Sequence, residues 1–302
     1  MSLGCNCEQG LSNTGVPACV PIQSVTSTLI MVPLADSTGT LNGIDLTAAV
    51  PVWADLVNET DETKRWFPLP SFENVELPKA DSQFEEANSG RMAFLRQGKR
   101  SFSGELWADD SSPTLLSKLQ NNRCVEFGVY IVDVNGNLVG SQIGDILYPI
   151  SVDNPSFNPT YAFATDATVS KIVVGFDFDR LFDEGTMYMI QPDEAGVNFN
   201  NLKGLIDVNF ADFVEVPQTS VTFNAEFDYG TAYTRIRLKG LLLADFALYN
   251  NTNSATEVIT SAPENLPLEG NYTVNFVFAI GESYTLSINK TGFVGKITFT
   301  AT

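Results

Sequence analysis

Apolar and polar residues alternate with a period of two along much of this chain, so it is expected to be built mainly from strands. Residues 24–34, SVTSTLIMVPL, read as a strand that Pro33 ends. Across 72–107, two extended segments flank Asn88-Ser89-Gly90, whose turn chemistry folds them into a long hairpin. In the second segment Phe102, Gly104 and Leu106 alternate with Ser101, Ser103 and Glu105, which buries one face. A second hairpin spans 124–140, where VEFGVYIVDV runs into the turn signal Asn135-Gly136. In 168–180, Ile172, Val174, Phe176 and Phe178 share one face, and Gly175, Asp177 and Asp179 share the other.

One short segment changes period. Ser112 is placed to cap a helix and Pro113 to open it, Leu115, Leu116 and Leu119 form an apolar stripe, and Asn121-Asn122 close it. Three turns are too few to persist alone, so the helix must pack on a sheet. Residues 35–70 are mixed and loop-like, with a charged stretch at Asn58–Arg65 and an extended exit through Pro68 and Pro70. Beyond Pro217 short strands recur between turn signals: Ser220–Phe227, Thr234–Leu241, Asp245–Tyr249, Gly270–Phe278, Ser283–Asn289 and Lys296–Thr302. That texture and size predict a small immunoglobulin-like sandwich without its disulfide. The expected organisation is an irregular arm (1–23), a β domain (24–216) and a sandwich domain (217–302).

Composition narrows the chemistry. The chain has 302 residues and no histidine, which removes the commonest general base and metal ligand. No P-loop, Rossmann glycine pattern or nucleophile elbow is present. Adjacent acids such as Glu85-Glu86 and Asp109-Asp110 point to opposite faces of a strand and make poor catalytic pairs. A non-enzymatic role is expected, without cofactor; a carboxylate-based hydrolase has no positive support. Asp133, Asn135 and Asn137 begin like a calcium loop, but Leu138 and Gly144 stand where glycine and glutamate are needed. Cys5, Cys7, Cys19 and Cys124 offer a weak zinc set whose spacing matches no standard module. A disulfide among the first three is an alternative, and free thiols are the plainest reading. Matches to N-x-T at Asn58, Asn250, Asn271 and Asn289 read as chance in a Thr-rich β chain. No apolar run approaches the roughly 20 residues of a membrane helix. No signal-peptide pattern opens the chain, so synthesis in the cytoplasm is expected.

The net charge of −19 argues against a grip on nucleic acid. Of 36 acids, 29 lie in residues 1–216 with 12 of the 17 bases, a net of −17; residues 217–302 carry −2. Solubility is one explanation, and a surface that repels polyanions is another. Against this background the basic run Arg96-Gln97-Gly98-Lys99-Arg100 stands out. It is either a solvated strand or a patch, through Arg96, Lys99 and Arg100, for an acidic face of a second copy.

Long hairpin, short helix, second hairpin: this order resembles the tail tube proteins of bacteriophages and related contractile-injection systems. The residues that carry it are FLRQGKRSFSGELW (Phe94–Trp107), SPTLLSKLQNN and the strands from Cys124 to Val139. The arm Gly4–Cys19 is similar to the start of virion proteins from phages of Bacteroidetes-type hosts, and the C-terminal sandwich to immunoglobulin-like decorations of phage structural proteins. The resemblance covers roughly residues 1–216. It implies a mainly β, tail-tube-like sandwich or barrel with long hairpins. It also implies a homo-oligomeric ring, a hexamer stacked into a tube in the phage tail, in contact with other tail proteins. Phage DNA would slide through an acidic lumen without tight binding, with Asp177 and Asp179 as candidate lumen acids. The arm and hairpin tips would bridge stacked rings, and the helix would cover the outside of the sheet. The competing expectation is a virion decoration or receptor-binding protein, with Tyr229, Tyr233, Tyr249 or Tyr272 as sugar platforms.

Overall fold

The computed structural model describes residues 14–16, 20–107, 110–216, 218–231 and 233–302. In chain order the first part contributes β1 (Thr26–Pro33), β2 (Ile44–Asp45), helix α1 (Trp53–Val57), β3 (Phe67–Pro68), β4 (Glu73–Glu76), β5 (Gln83–Glu86), β6 (Met92–Arg96) and β7 (Ser101–Trp107). Helix α2 (Pro113–Asn121) follows, then β8 (Phe127–Asp133), β9 (Leu138–Ile143), β10 (Ile146–Tyr148), β11 (Ile150–Ser151), β12 (Asn158–Ala162), β13 (Lys171–Asp177), β14 (Met187–Ile190) and helix α3 (Pro192–Ala195). One sheet runs β2-β10-β9-β8-β1-β3, with β11 on β8 and β14 on β9; a second runs β12-β13-β7-β4.

The two sheets face each other across a core that their alternation dictates. Leu29 and Met31 of β1 and Phe127, Val129 and Ile131 of β8 meet Phe102, Leu106, Ile172, Val174 and Phe176 of the second sheet. The intervening residues of β1 and β8, among them Ile30, Val32, Tyr130 and Val132, enter a separate core with Trp53, Val57, Trp66 and Phe199. Strands β1 and β8 are therefore buried on both faces, which explains their near-continuous apolar sequences.

The helix foreseen at 112–122 forms as α2: Ser112 Oγ accepts from Leu115 N at 3.1 Å, Pro113 opens the helix and Leu119 is buried. Two further short helices were not foreseen. Helix α1 has Val52 at its N-cap and no capping side chain, so nothing in 35–70 announced it. The 124–140 hairpin forms as β8–β9. Its calcium-like acid organises the turn instead: Asp133, fully buried, accepts from Ser24 N, Asn135 N and Asn137 N, each at 2.9 Å, and from Asn137 Nδ2 at 2.7 Å.

The C-terminal part contributes β15 (Ile206–Val216), β16 (Ser220–Gly230), β17 (Arg235–Arg237), β18 (Phe246–Asn250), β19 (Ala255–Glu257), β20 (Asn271–Asn275), β21 (Ser283–Lys290) and β22 (Phe293–Thr300). Strand β15 corrects the domain boundary expected at 217. It pairs antiparallel with β16 and, at Ile206 and Asp207, parallel with β22, so it belongs to the sandwich. A bulge between Ala211 and Val214, with Asp212 at φ 49°, breaks its alternation and hid it. Strands β15, β16 and β20 form one side; β22, β21, β18 and β19 form the other. The two sides enclose one core as a β-sandwich.

Around its core stack Phe223, Tyr272, Phe276 and Tyr284, all buried. Tyr284, at the start of β21, accepts from Ala279 N at 3.0 Å and donates to Glu282 Oε2 at 2.8 Å, which pins the preceding turn. Polar contacts join the two parts: Lys118 Nζ lies 2.5 Å from Asp207, Thr114 Oγ1 donates to Asp228 O at 3.1 Å, and Lys296 Nζ lies 2.9 Å from Glu62. Replacing Tyr284 with Phe removes both hydroxyl bonds and leaves Ala279 N–H without its acceptor. The expected loss is about 1–2 kcal/mol, read by urea denaturation; a loss below about 0.5 kcal/mol would mean that the hydroxyl does not hold the corner.

Candidate functional site

The long hairpin forms in two stages. At its root β4 pairs with β7 inside the second sheet. At its tip β5 pairs only with β6, as a two-stranded ribbon closed by Ala87–Arg91. Among the described residues nothing packs on the tip. Phe84, Met92, Phe94 and Leu95 are 53%, 60%, 59% and 56% exposed. Phe84 and Phe94 are cross-strand partners, with ring centroids 5.6 Å apart, and Met92 stands on the same face. A bare two-stranded ribbon is marginal in water, and clustered exposed apolar side chains mark an interaction surface.

Root and tip meet where the strands nearly touch. Ala80 N donates to Lys99 O at 2.8 Å and Ser101 N to Pro78 O at 2.9 Å. A Cβ at Gly98 would sit 1.6 Å from Ala80 O, so no side chain fits there. Ion pairs fix this waist to the body. Lys99 Nζ lies 2.6 Å from Asp177 and 3.6 Å from Asp153; Arg100 Nη2 lies 2.8 Å from Glu184, and Lys79 Nζ 3.0 Å from the same carboxylate. Ser101 Oγ adds a bond to Asp177 at 2.6 Å.

These contacts correct two expectations. Lys99 and Arg100 are not a free patch for another copy, because Asp177 and Glu184 of the same chain occupy them. Asp177 is likewise no open lumen acid: it is neutralised by Lys99. Asp179 accepts from Leu181 N at 2.7 Å and shapes a turn. Of the basic run only Arg96 remains on the tip, its Nε donating to Gln83 Oε1 at 2.8 Å.

The second sheet is packed on one face only. Its other face carries mainly small and polar residues, Ser101, Ser103 and Glu105 on β7, Val173, Gly175 and Asp177 on β13, Asn158 and Thr160 on β12, with Trp107 and Lys171 at one end. Glu105 is neutralised: burial pushes its carboxyl up, but Lys171 at 2.5 Å, the Trp107 indole and Asn74 bring it below the ordinary value. On edge strand β4, Glu73 and Glu76, and on β5, Glu85 and Glu86, are exposed and make no ion pair among the described residues. Alternation singles out neither Glu73 nor Glu76, and marks Glu85-Glu86 only as a poor catalytic pair, because it does not reveal which strand ends a sheet. The far edge, β12, is flanked by α2, whose Gln120 Nε2 reaches Pro159 O at 3.4 Å.

Other candidates fall away from this surface. Cys5, Cys7 and Cys19 lie outside the described residues; Cys124 is exposed with a free thiol after α2. No group of three or more Cys, Asp or Glu side chains converges among the described residues. Tyr272 is buried in the sandwich, Tyr229 lies under Lys118, and Tyr233 stands exposed in a turn. Among the described residues no helix is long and apolar enough to cross a membrane.

The chain matches no protein-family model, no curated protein and no solved structure.

Two outcomes test the waist. The carboxyls of Asp177 and Glu184 are held below their ordinary values, by hydrogen bonds from Lys99 and Ser101 and from Lys79 and Arg100 respectively. Their contribution is complete above the ordinary carboxylate range of about 4 and is lost as pH falls through the lowered values. Lys99, raised by Asp177, keeps its charge until pH passes its ordinary value of about 10.4. The thermal midpoint is expected to fall between about pH 6 and pH 3, and Asp177→Asn to fall less over that interval; parallel curves would remove Asp177 from the linkage. In Gly98→Ala the clash forces the strands apart. Tryptic cleavage at Arg91 and Arg96 should rise by about tenfold while the body's thermal midpoint stays nearly unchanged.

Proposed function

We propose that this chain is a non-enzymatic structural subunit that assembles with copies of itself into stacked rings, as a tail tube subunit of a phage virion does. One observation carries the reading. A four-stranded sheet is packed on a single face, leaves the outer edge of β4 without a strand partner among the described residues, and continues into a ribbon whose apolar side chains are exposed.

Open edges and bare apolar ribbons are liabilities for a monomer and joints for an assembly. In a ring, the small polar face turns toward the central channel. Glu73 and Glu76 then supply negative charge that keeps DNA from sticking, because Lys99 and Lys171 are already paired with Asp177 and Glu105 and gain little by displacing phosphate counterions. The predominance of acids survives the corrected boundary: residues 1–205 hold 26 of the 36 acids with 12 of the 17 bases. The hairpin tips reach the neighbouring ring or subunit. The sandwich sits outside as a decoration, and the assembly forms in the host cytoplasm together with other tail proteins.

A second reading, a decoration or receptor-binding protein, draws on the sandwich, which completes its own core and carries a fully exposed Tyr233. Negative-stain microscopy and sedimentation of the purified chain separate the two. Stacked annuli with a central hole are expected. Discrete particles that bind host cells through the sandwich would favour the second reading. The double variant Phe84→Ser/Phe94→Ser should abolish stacking without altering the thermal midpoint, and unchanged stacks would remove the ribbon from the joint.

A further inference from the structure

The ribbon is segregated by charge. Asp81, Glu85 and Glu86 lie along its first arm, Arg91 and Arg96 along its second, and all five are exposed. The two sets do not neutralise each other. Register places Glu86 opposite Met92 and Glu85 opposite Ala93, and Arg96 gives its Nε to Gln83. The bases of the waist are already bound to Asp177 and Glu184. The ribbon thus has one acidic edge and one basic edge, and among the described residues the outward backbone groups of both strands have no ladder partner.

We infer that the ribbon's partner is the same ribbon of a second copy, with β6 of one copy pairing antiparallel with β5 of the next. This rests on the self-assembling reading and names its contact. Ribbons standing side by side and pointing the same way continue the antiparallel order. At equal height Phe94 meets Phe84 of the next copy and extends the aromatic pair. Arg91 and Arg96 then stand diagonal to Glu85 of that copy, within reach of long side chains. An unrelated acidic partner would satisfy the basic edge and leave the acidic edge open; a second copy satisfies both at once. The contact is heterologous, each basic edge filling the acidic edge of its neighbour, and such contacts propagate until a ring closes and no edge remains.

Charge reversal in the full chain tests this. Glu85→Lys/Glu86→Lys makes both edges basic; Arg91→Glu/Arg96→Glu makes both acidic. Each variant alone is expected to lose association by on the order of tenfold or more relative to the native chain, in sedimentation velocity, because like charges face each other. Mixed one to one, the two should co-assemble in alternation. Circular dichroism should show both folded, since the ribbon enters none of the three cores. If either variant alone forms rings at native concentrations, or if the mixture stays dissociated, the edge pairing is overturned while ring formation by the native chain stands. A native chain that never associates overturns both.

Discussion

Strands β1 and β8 turn no face to water, and the rest of the body follows from that. Successive residues must be apolar, and each must suit a different core: Leu29 and Met31 toward the second sheet, Ile30 and Val32 toward Trp53 and Trp66. A slip of one residue would exchange the two sets. Because both faces are occupied, the register of β1 on β8 fixes the position of the second sheet on one side and of α1 on the other. The second sheet, covered once, is then the layer left with a face and an edge to offer.

Much of this was readable from the chain alone, where one residue type has one meaning. Ser112-Pro113 opens a helix, Asn135-Gly136 closes a hairpin, and the alternation at 171–177 buries Ile172, Val174 and Phe176 as expected. The failures have physical causes. Helix α1 lacks a capping side chain. Strand β15 carries a bulge that destroys its period, so it was assigned to the wrong domain. Alternation also gives the faces of a strand but not its neighbours, so the exposed acids of β4 and β5 looked no different from those on Asp177's strand.

The hairpin shows that limit most clearly. Phe94 and Phe102 stand on consecutive strands in similar alternating patterns, yet one is exposed and the other is 1% accessible. The difference is the waist at Gly98, beyond which the strands leave the sheet. The basic run misled for a related reason: Lys99 and Arg100 sit where the chain crosses back onto the body, and tertiary contact with Asp177 and Glu184 absorbs their charge. Within the run only Arg96 stays exposed without an ion pair among the described residues, as does Arg91 five residues before it.

The seam between body and sandwich has a different character from the cores. Lys118–Asp207 and Lys296–Glu62 are partly to largely open to solvent, and such pairs weaken as mobile ions screen them over a Debye length of about 8 Å in physiological buffer. Apolar burial within the three cores does not weaken in that way. Ionic strength therefore acts selectively on this molecule, loosening the seam between body and sandwich while leaving the interior of each intact.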